Sequence, residues 1–211
     1  MERGRFISVE GIDSSGKSIL VPRLAQWLEE TGYPVTLTRE PGGTPVGEMI
    51  RHILLDVKDA SITPMAEMLL FAASRAQHVA QVIAPALKKG DIVLCDRYVD
   101  SSIAYQGAAR GLGDDDVMAV NLLAVGGLMP DLTLFLDIGL DEAARRRQNR
   151  PEKADRLDQE VLAFHREGRE AFHALLDKYP ERIVRIDGEK SPDAVFLACA
   201  EVVSRLLKSG N

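Results

Sequence analysis

Near its start the chain reads Gly11-Ile12-Asp13-Ser14-Ser15-Gly16-Lys17-Ser18, between a short apolar run and a segment with helical spacing. This octapeptide matches the pattern G-x-x-x-x-G-K-[ST] and stands where that pattern is informative, directly after a strand and opening a helix. The glycines let backbone N–H groups turn inward around phosphate oxygens, and the helix adds the positive end of its dipole. The eight residues are therefore predicted to bind ATP, with Lys17 reaching the β and γ phosphates and Ser18 ligating Mg²⁺.

Working outward, short apolar or β-branched runs bounded by turn signals alternate with segments of helical spacing. The runs predict five strands, at residues 5–10, 34–39, 91–95, 131–137 and 182–187. The helical segments cover about 17–31, 45–55, 64–89, 114–125, 141–150, 158–178 and 192–208. Such alternation indicates an α/β fold, a parallel sheet with helices on both faces. Ligands of these sheets bind beyond the carboxyl ends of the strands, where polar pairs such as Arg39-Glu40 and Asp96-Arg97 stand.

Bulk composition restricts the class of protein. With 211 residues, 45% hydrophobic and 27% charged, the chain is expected to form a single domain over residues 1–211. The net charge of -6 argues against a broad basic surface, so no nucleic-acid partner is expected. Two cysteines make no disulfide framework, and no apolar run suits a membrane span or a signal peptide. A cytoplasmic protein with no membrane partner is predicted.

The phosphate-binding motif alone does not separate kinases from GTPases or motor ATPases, so the other strand ends must discriminate. No N-K-x-D guanine-reading element occurs in the chain. Three further segments, at 39–44 (REPGGT), 69–78 (LLFAASRAQH) and 96–107 (DRYVDSSIAYQG), resemble the thymidylate kinase family and lie in the same order. The resemblance implies the P-loop nucleoside monophosphate kinase fold with a lid, and transfer of phosphate from ATP to thymidine monophosphate (dTMP).

The same resemblance implies roles for individual residues. Phe71 would stack on thymine and Arg75, four residues later on the same helix face, would bond the base edge. Arg97 would bind the acceptor phosphate and Asp96 would organise magnesium. The remaining implied acceptor residues are Asp13 at the 3′-hydroxyl, Arg39 and Glu40 in the acceptor-side loop, and Ser102, Tyr105 and Gln106 around sugar and base. Without the resemblance, a core phenylalanine with a flanking arginine remains open for Phe71 and Arg75, and His78 is a surface or core residue.

The charged stretch at about 145–160 is predicted to be the lid. Some members of the family that the chain resembles carry the arginine that stabilises the transition state in the phosphate-binding loop. Residues 12–15 contain no basic residue, so the resemblance implies that the lid supplies this arginine. On a helix Arg147 and Arg150 share a face and are the better candidates, with Arg156 as a third. The i,i+4 pairs of Arg145 and Arg146 with Asp141 and Glu142 indicate a structural role for the first two arginines. Glu160 is either an acceptor-side residue or a helix-surface carboxylate.

Two other functions remain open at this stage. One is a kinase of the same fold that acts on a different nucleotide or on a nucleoside. The other is an ATP-binding regulatory protein without turnover, which the arginine-rich lid and the second phosphate-binding arginine, Arg97, argue against. The family resemblance also implies a homodimer, and helices beside the acceptor region are apolar enough to pair.

Overall fold

A computed structural model describes residues 3–56, 62–148, 156–157, 160 and 162–208. Its five strands are β1 Phe6–Glu10, β2 Val35–Arg39, β3 Ile92–Asp96, β4 Leu132–Asp137 and β5 Ile183–Asp187. The helices in these ranges are α1 Lys17–Glu30, α2 Pro45–Leu55, α3 Pro64–His78, α4 Ala84–Lys89, α5 Val99–Ser102, α6 Asp114–Val125, α7 Leu140–Gln148, α8 Leu162–Lys178 and α9 Pro192–Lys208. Two π-helical segments, Val79–Ile83 and Ile103–Ala109, continue α3 and α5.

The strands form one parallel sheet in the order β2-β3-β1-β4-β5. The predicted α/β class with a five-stranded parallel sheet is confirmed, because each predicted run coincides with a strand to within a residue or two. In this register Val9 lies opposite Asp96 on one side and Leu134 on the other. The carboxyl ends of β1, β3 and β4 therefore meet at one edge, where the loop 11–18 begins.

Both faces of the sheet are covered by helices, as period-two alternation in buried strands requires. Ile7 and Val9 face α1 and α9, whereas Phe6 and Phe135 face the cluster built by α3, α6 and α8. Helix α1 packs against one face of the sheet and begins at Lys17, within the phosphate-binding loop 11–18. Packing on the other face brings α3 and α8 to the same edge of the sheet.

The predicted helix 64–89 is one helical rod with a widened turn at Val79–Ile83. Pro85 follows directly, and a proline within a helix removes an N–H and clashes with the carbonyl four residues earlier, which favours such a local change of hydrogen bonding. The motif segment 96–107 contains α5 and the first five residues of the second π-helical segment, which continues to Ala109.

Some expectations fall outside the described residues. Most of the predicted lid, including Arg150, lies there, and the predicted helix 158–178 is described from Leu162 onward.

Cys95 and Cys199 are buried and free. None of the helices in the described ranges combines the length and apolar character that crossing a bilayer requires.

Candidate active site

A cavity of about 690 Å³ opens at the carboxyl edge of the sheet. It runs from the loop 11–18 and the start of α9 to the loop after β2, α3 and the second π-helical segment. Fifteen predicted site residues line it: Asp13, Ser14, Ser15, Gly16, Lys17, Ser18, Arg39, Glu40, Phe71, Arg75, Asp96, Arg97, Ser102, Tyr105 and Gln106. The structure thus brings residues from four separate sequence segments to one concave site.

The loop 11–18 wraps around the Lys17 ammonium group. Lys17 Nζ donates to the carbonyl oxygens of Gly11 and Ile12, each at 3.0 Å, and to Ser15 Oγ at 3.2 Å. Burial, together with the nearby Arg97 charge, lowers the pKa of Lys17 to about 8. Gly16 precedes α1 with φ 104°, a left-handed conformation that side chains rarely adopt. The lysine is therefore buried and surrounded by groups that an anion could replace.

Arg97 lines the cavity and adopts a left-handed backbone conformation, φ 71°. Its Nη2 donates to Asp13 Oδ1 at 2.5 Å, and its Nη1 donates to the Gly11 carbonyl at 2.9 Å and to Ser101 Oγ at 3.1 Å. Burial acts to raise the pKa of Asp13, but the charges of Arg97 and Lys17 hold it below its usual range. A non-glycine residue at such a φ is a strained position that surrounding contacts must maintain, and such positions cluster at functional sites.

Asp96 and Ser18 are the predicted magnesium ligands. Asp96 Oδ1 is buried and accepts no hydrogen bond from the described residues, and Ser18 is exposed on the same cavity. Within the described ranges no group of three or more His, Cys, Asp and Glu side chains could hold a metal ion. One carboxylate and one hydroxyl fit Mg²⁺, which keeps several waters and binds mainly through substrate phosphates.

Among the residues predicted to bind the acceptor, Arg75 is almost fully buried, and its hydrogen bonds fix its orientation. Its Nε donates to Glu40 Oε2 at 2.6 Å, its Nη2 to the Tyr98 carbonyl at 3.0 Å, and its Nη1 to Ser102 and Asn121. These contacts engage four of the five N–H groups of an arginine, and the guanidinium still borders the cavity. Arg75 is thus a buried donor with an ion-pair partner. It can contribute to the packing of the core and also contact a ligand in the cavity.

The other acceptor-side residues surround the same space. Phe71 borders the cavity and packs against Leu54 and Leu55 of α2. Tyr105 stacks on Phe164, with ring centroids 5.4 Å apart, and its buried hydroxyl has no hydrogen-bond partner among the described residues. Burial raises the pKa of this tyrosine well above its usual range. An unpartnered polar atom at a cavity wall is a group that a ligand can satisfy.

Arg39 borders the cavity and forms an ion pair with Glu48. Its two Nη atoms donate to the two carboxylate oxygens of Glu48, at 2.9 and 3.0 Å, and the pair is about half exposed. Gln106 Nε2 donates to Glu67 Oε1 at 3.0 Å, which orients the amide from behind. Both residues border the cavity, so their predicted roles at the acceptor remain predictions.

Among the arginines of α7, Arg146 contacts the phosphate-binding loop. Its Nη1 donates to the Ser15 carbonyl at 3.4 Å and its Nη2 to the Gly188 carbonyl at 2.8 Å, while Nε pairs with Glu142. Arg145 and Arg146 both pair with Glu142, the Arg146 pair at the i,i+4 spacing that the sequence predicts, and both also border the cavity. Arg147 Nη1 lies 3.5 Å from His165 Nε2, and its charge helps to lower the pKa of Asp13. Sequence reasoning missed Arg146 because Gly188, its second partner, is 42 residues away.

Arg156 lies against a buried acidic group on α3. Its Nη2 donates to Glu67 Oε2 at 2.5 Å and its Nε to the Leu54 carbonyl at 2.7 Å. Glu67 also accepts from both Nε and Nη2 of Arg110, each at 3.1 Å, and Arg110 in turn contacts Glu160. Burial acts to raise the pKa of Glu67, but these donors hold it below its usual range. The predicted role of Arg156 at the transferred phosphate remains a prediction, and the structure connects this arginine to Glu67 and Glu160 to Arg110.

Comparison with known proteins gives the same assignment throughout the chain. The family model described as thymidylate kinase matches residues 9–198. The thymidylate kinase of Caldanaerobacter subterraneus subsp. tengcongensis is 48% identical over 206 residues, covering 98% of each chain, and that of Clostridium novyi is 45% identical, covering 93% of this chain and 96% of the other. The crystal structure of thymidylate kinase from Ehrlichia chaffeensis superposes with a TM-score of 0.77 at 32% identity, over 95% of this chain and 99% of that one. The resemblance found in the motifs is confirmed: the chain belongs to the thymidylate kinase family.

Proposed function

We propose that this kinase transfers the γ-phosphoryl group of ATP to dTMP and produces dTDP and ADP. The observation that carries the proposal is one continuous cavity with the Lys17 loop at one end and Phe71, Arg75 and Tyr105 at the other. Two nucleotides bound head to tail would place their phosphates near Arg97, between these ends. An oxygen of the dTMP phosphate attacks the γ-phosphorus, and the bond from that phosphorus to the β–γ bridging oxygen breaks as the new bond forms.

The protein groups act by positioning and by electrostatic stabilisation, and no side-chain nucleophile is required. Lys17 transfers its donors from Gly11, Ile12 and Ser15 to the β and γ phosphates. Arg97, held by Asp13 and the Gly11 carbonyl, binds the acceptor phosphate and stabilises charge on the moving group. Ser18 and Asp96 would hold Mg²⁺, which would supply charge neutralisation to the donor phosphates.

Selectivity for thymine and deoxyribose is proposed to come from the acceptor end. Phe71 offers a flat apolar face for the base, and the guanidinium of Arg75 offers a fixed donor for a base carbonyl. Tyr105 borders the cavity at this end, and the family resemblance implies that it blocks a ribose 2′-hydroxyl. Arg146 and the Gly188 loop form the donor end of the cavity, where the ATP base and sugar would lie.

We also propose that the active form is a homodimer. Val46, Met49 and Ile53 on α2 and Met65 and Leu69 on α3 are spaced three or four apart, so each set occupies one helix side, and all are 41–61% exposed. The two helices pack together, which makes the exposed side chains one apolar surface. Light scattering of the purified chain tests the proposal, with twice the chain mass expected.

We further propose a cytoplasmic location, because a reducing compartment suits the two free, buried cysteines.

The test of function is a steady-state assay with ATP, Mg²⁺ and a panel of acceptors: dTMP, dUMP, UMP, CMP and thymidine. We expect the highest kcat/KM with dTMP, and weak turnover of UMP and CMP, because these lack the thymine methyl group and carry the 2′-hydroxyl. A preference for any other acceptor would overturn the acceptor assignment. ATP binding without conversion of any acceptor would support the regulatory alternative.

A further inference from the structure

A buried relay of side chains stands behind Arg75. His78, one turn after Arg75 on α3, is fully buried and does not border the cavity. Its Nδ1 lies 2.9 Å from Glu40 Oε1, and the other oxygen of the same carboxylate accepts from Arg75 Nε at 2.6 Å. On the far side, His78 Nε2 lies 2.6 Å from Thr38 Oγ1. The order of contacts is therefore Thr38, His78, Glu40 and Arg75.

Hydrogen-bond chemistry fixes the direction of the contact between His78 and Glu40. A carboxylate only accepts, so Nδ1 of His78 carries the proton that points to Glu40. On the other side of the ring, Nε2 contacts the Thr38 hydroxyl, which can donate or accept. Each of the contacting polar atoms of Thr38, His78 and Glu40 has a hydrogen-bond partner, and such complete networks hold side chains in one orientation. The carboxylate of Glu40 is thereby fixed at both oxygens.

The same histidine also fixes the loop 39–44 that crosses the acceptor end. Gly43 adopts φ 76°, and a β-carbon added there would lie 2.7 Å from the His78 ring. The neighbouring Gly42 N–H donates to Ser74 Oγ at 3.2 Å. The loop thus lies directly on the face of α3 formed by Ser74, Arg75 and His78. Moving the imidazole would release both the loop and the carboxylate that anchors Arg75.

We propose that His78 is a positioning residue for acceptor selection: it holds Glu40, which holds the guanidinium of Arg75 against the acceptor base. This inference rests on the proposed function of the acceptor end and adds a residue that touches no substrate. The other partners of Arg75 in the described residues, Ser102, Asn121 and the Tyr98 carbonyl, are neutral, so Glu40 is its anionic partner there. Losing the orientation of Glu40 should weaken acceptor binding much more than ATP binding.

The experiment compares His78→Asn with His78→Gln in the full-length protein. An asparagine amide occupies the place of Nδ1 and can still donate to Glu40, whereas a glutamine amide occupies the place of Nε2 and faces Thr38. We expect His78→Gln to raise the KM for dTMP by at least about tenfold with the KM for ATP changed less than about twofold. His78→Asn should keep the KM for dTMP within about threefold of wild type. The control is His52→Asn, an exposed histidine on α2.

Melting temperatures of all three variants separate folding from positioning, because both substitutions of a buried imidazole cost stability. A mere filling role predicts the reverse order, since glutamine replaces more of the lost volume than asparagine does. Equal changes in the KM for dTMP in the two variants, or KM values for ATP and dTMP that rise together, would overturn the inference. Turnover of dTMP by the wild type would still uphold the proposed function in that case. A wild type that neither binds nor converts dTMP would overturn both. If His78→Gln does not fold, Glu40→Gln must show the same selective loss.

Discussion

Glu67 gives the sharpest prediction about stability, because its side chain is 1% exposed and accepts four hydrogen bonds. Glu67→Gln removes the charge and turns one acceptor oxygen into an NH₂ group that faces arginine donors. Two charge-assisted hydrogen bonds are lost, each worth about 1.5–3 kcal/mol. Arg110 and Arg156 keep 17% and 19% exposure, and Arg110 keeps Glu160, so water and a second carboxylate compensate in part. We therefore expect a loss near the lower limit, about 3 kcal/mol in the free energy of unfolding.

Urea unfolding measures this loss as a lower midpoint with an unchanged slope, and in a chain of this length a loss of about 3 kcal/mol lowers the melting temperature by roughly 6–12 °C. The matched control is Glu201→Gln, which breaks an exposed i,i+4 pair with Arg205 and should cost less than about 0.5 kcal/mol. If Glu67→Gln stays within about 1 kcal/mol of wild type, the buried carboxylate does not hold the two arginines as the structure indicates.

Three further outcomes are expected. Lys17→Ala and Arg97→Ala should each lower kcat/KM at least about 100-fold while circular dichroism stays unchanged, and wild-type kinetics in either variant would contradict the assigned role. Burial raises the pKa of Glu10 to about 8 from an ordinary value of 4.5, so between these pH values the folded state keeps a proton that the unfolded chain releases. The free energy of unfolding should therefore fall as the pH rises from 4.5 to 8, by up to about 1.4 kcal/mol per pH unit. Glu10→Gln should flatten this dependence of the free energy of unfolding on pH. Met49→Glu combined with Leu69→Glu should convert a dimer into a monomer in light scattering, and an unchanged mass would place the interface elsewhere.

Local patterns predicted the parts of the fold that local physics determines. The strands are short apolar runs closed by turn residues, and the Lys17 loop is specified by glycines that only a tight, phosphate-facing turn requires. The sequence does not predict the widened turn at Val79–Ile83, because the helical pattern of side chains continues through Pro85. The widened turn is visible only in the backbone hydrogen bonds.

The predictions for the arginines show where sequence reasoning ends. Arg145 and Arg146 have acidic partners at helical spacing, yet Arg146 also reaches Ser15 and Gly188, contacts that depend on where β5 ends in space. Arg156 was grouped with the lid by its charge, whereas its partner Glu67 lies 89 residues away on α3. Charge patterns identify which residues need partners, and the tertiary fold decides which partners they obtain.

The central claim is that two anionic nucleotides occupy one cavity with their phosphates meeting at Arg97. A single molecule in which adenosine and thymidine are joined through their 5′ oxygens by a chain of five phosphates tests it directly by calorimetry. The account predicts one such molecule bound per chain, with affinity well above that of either nucleotide and full competition with both ATP and dTMP. Binding that competes with ATP alone, while dTMP still binds to the saturated protein, would contradict it.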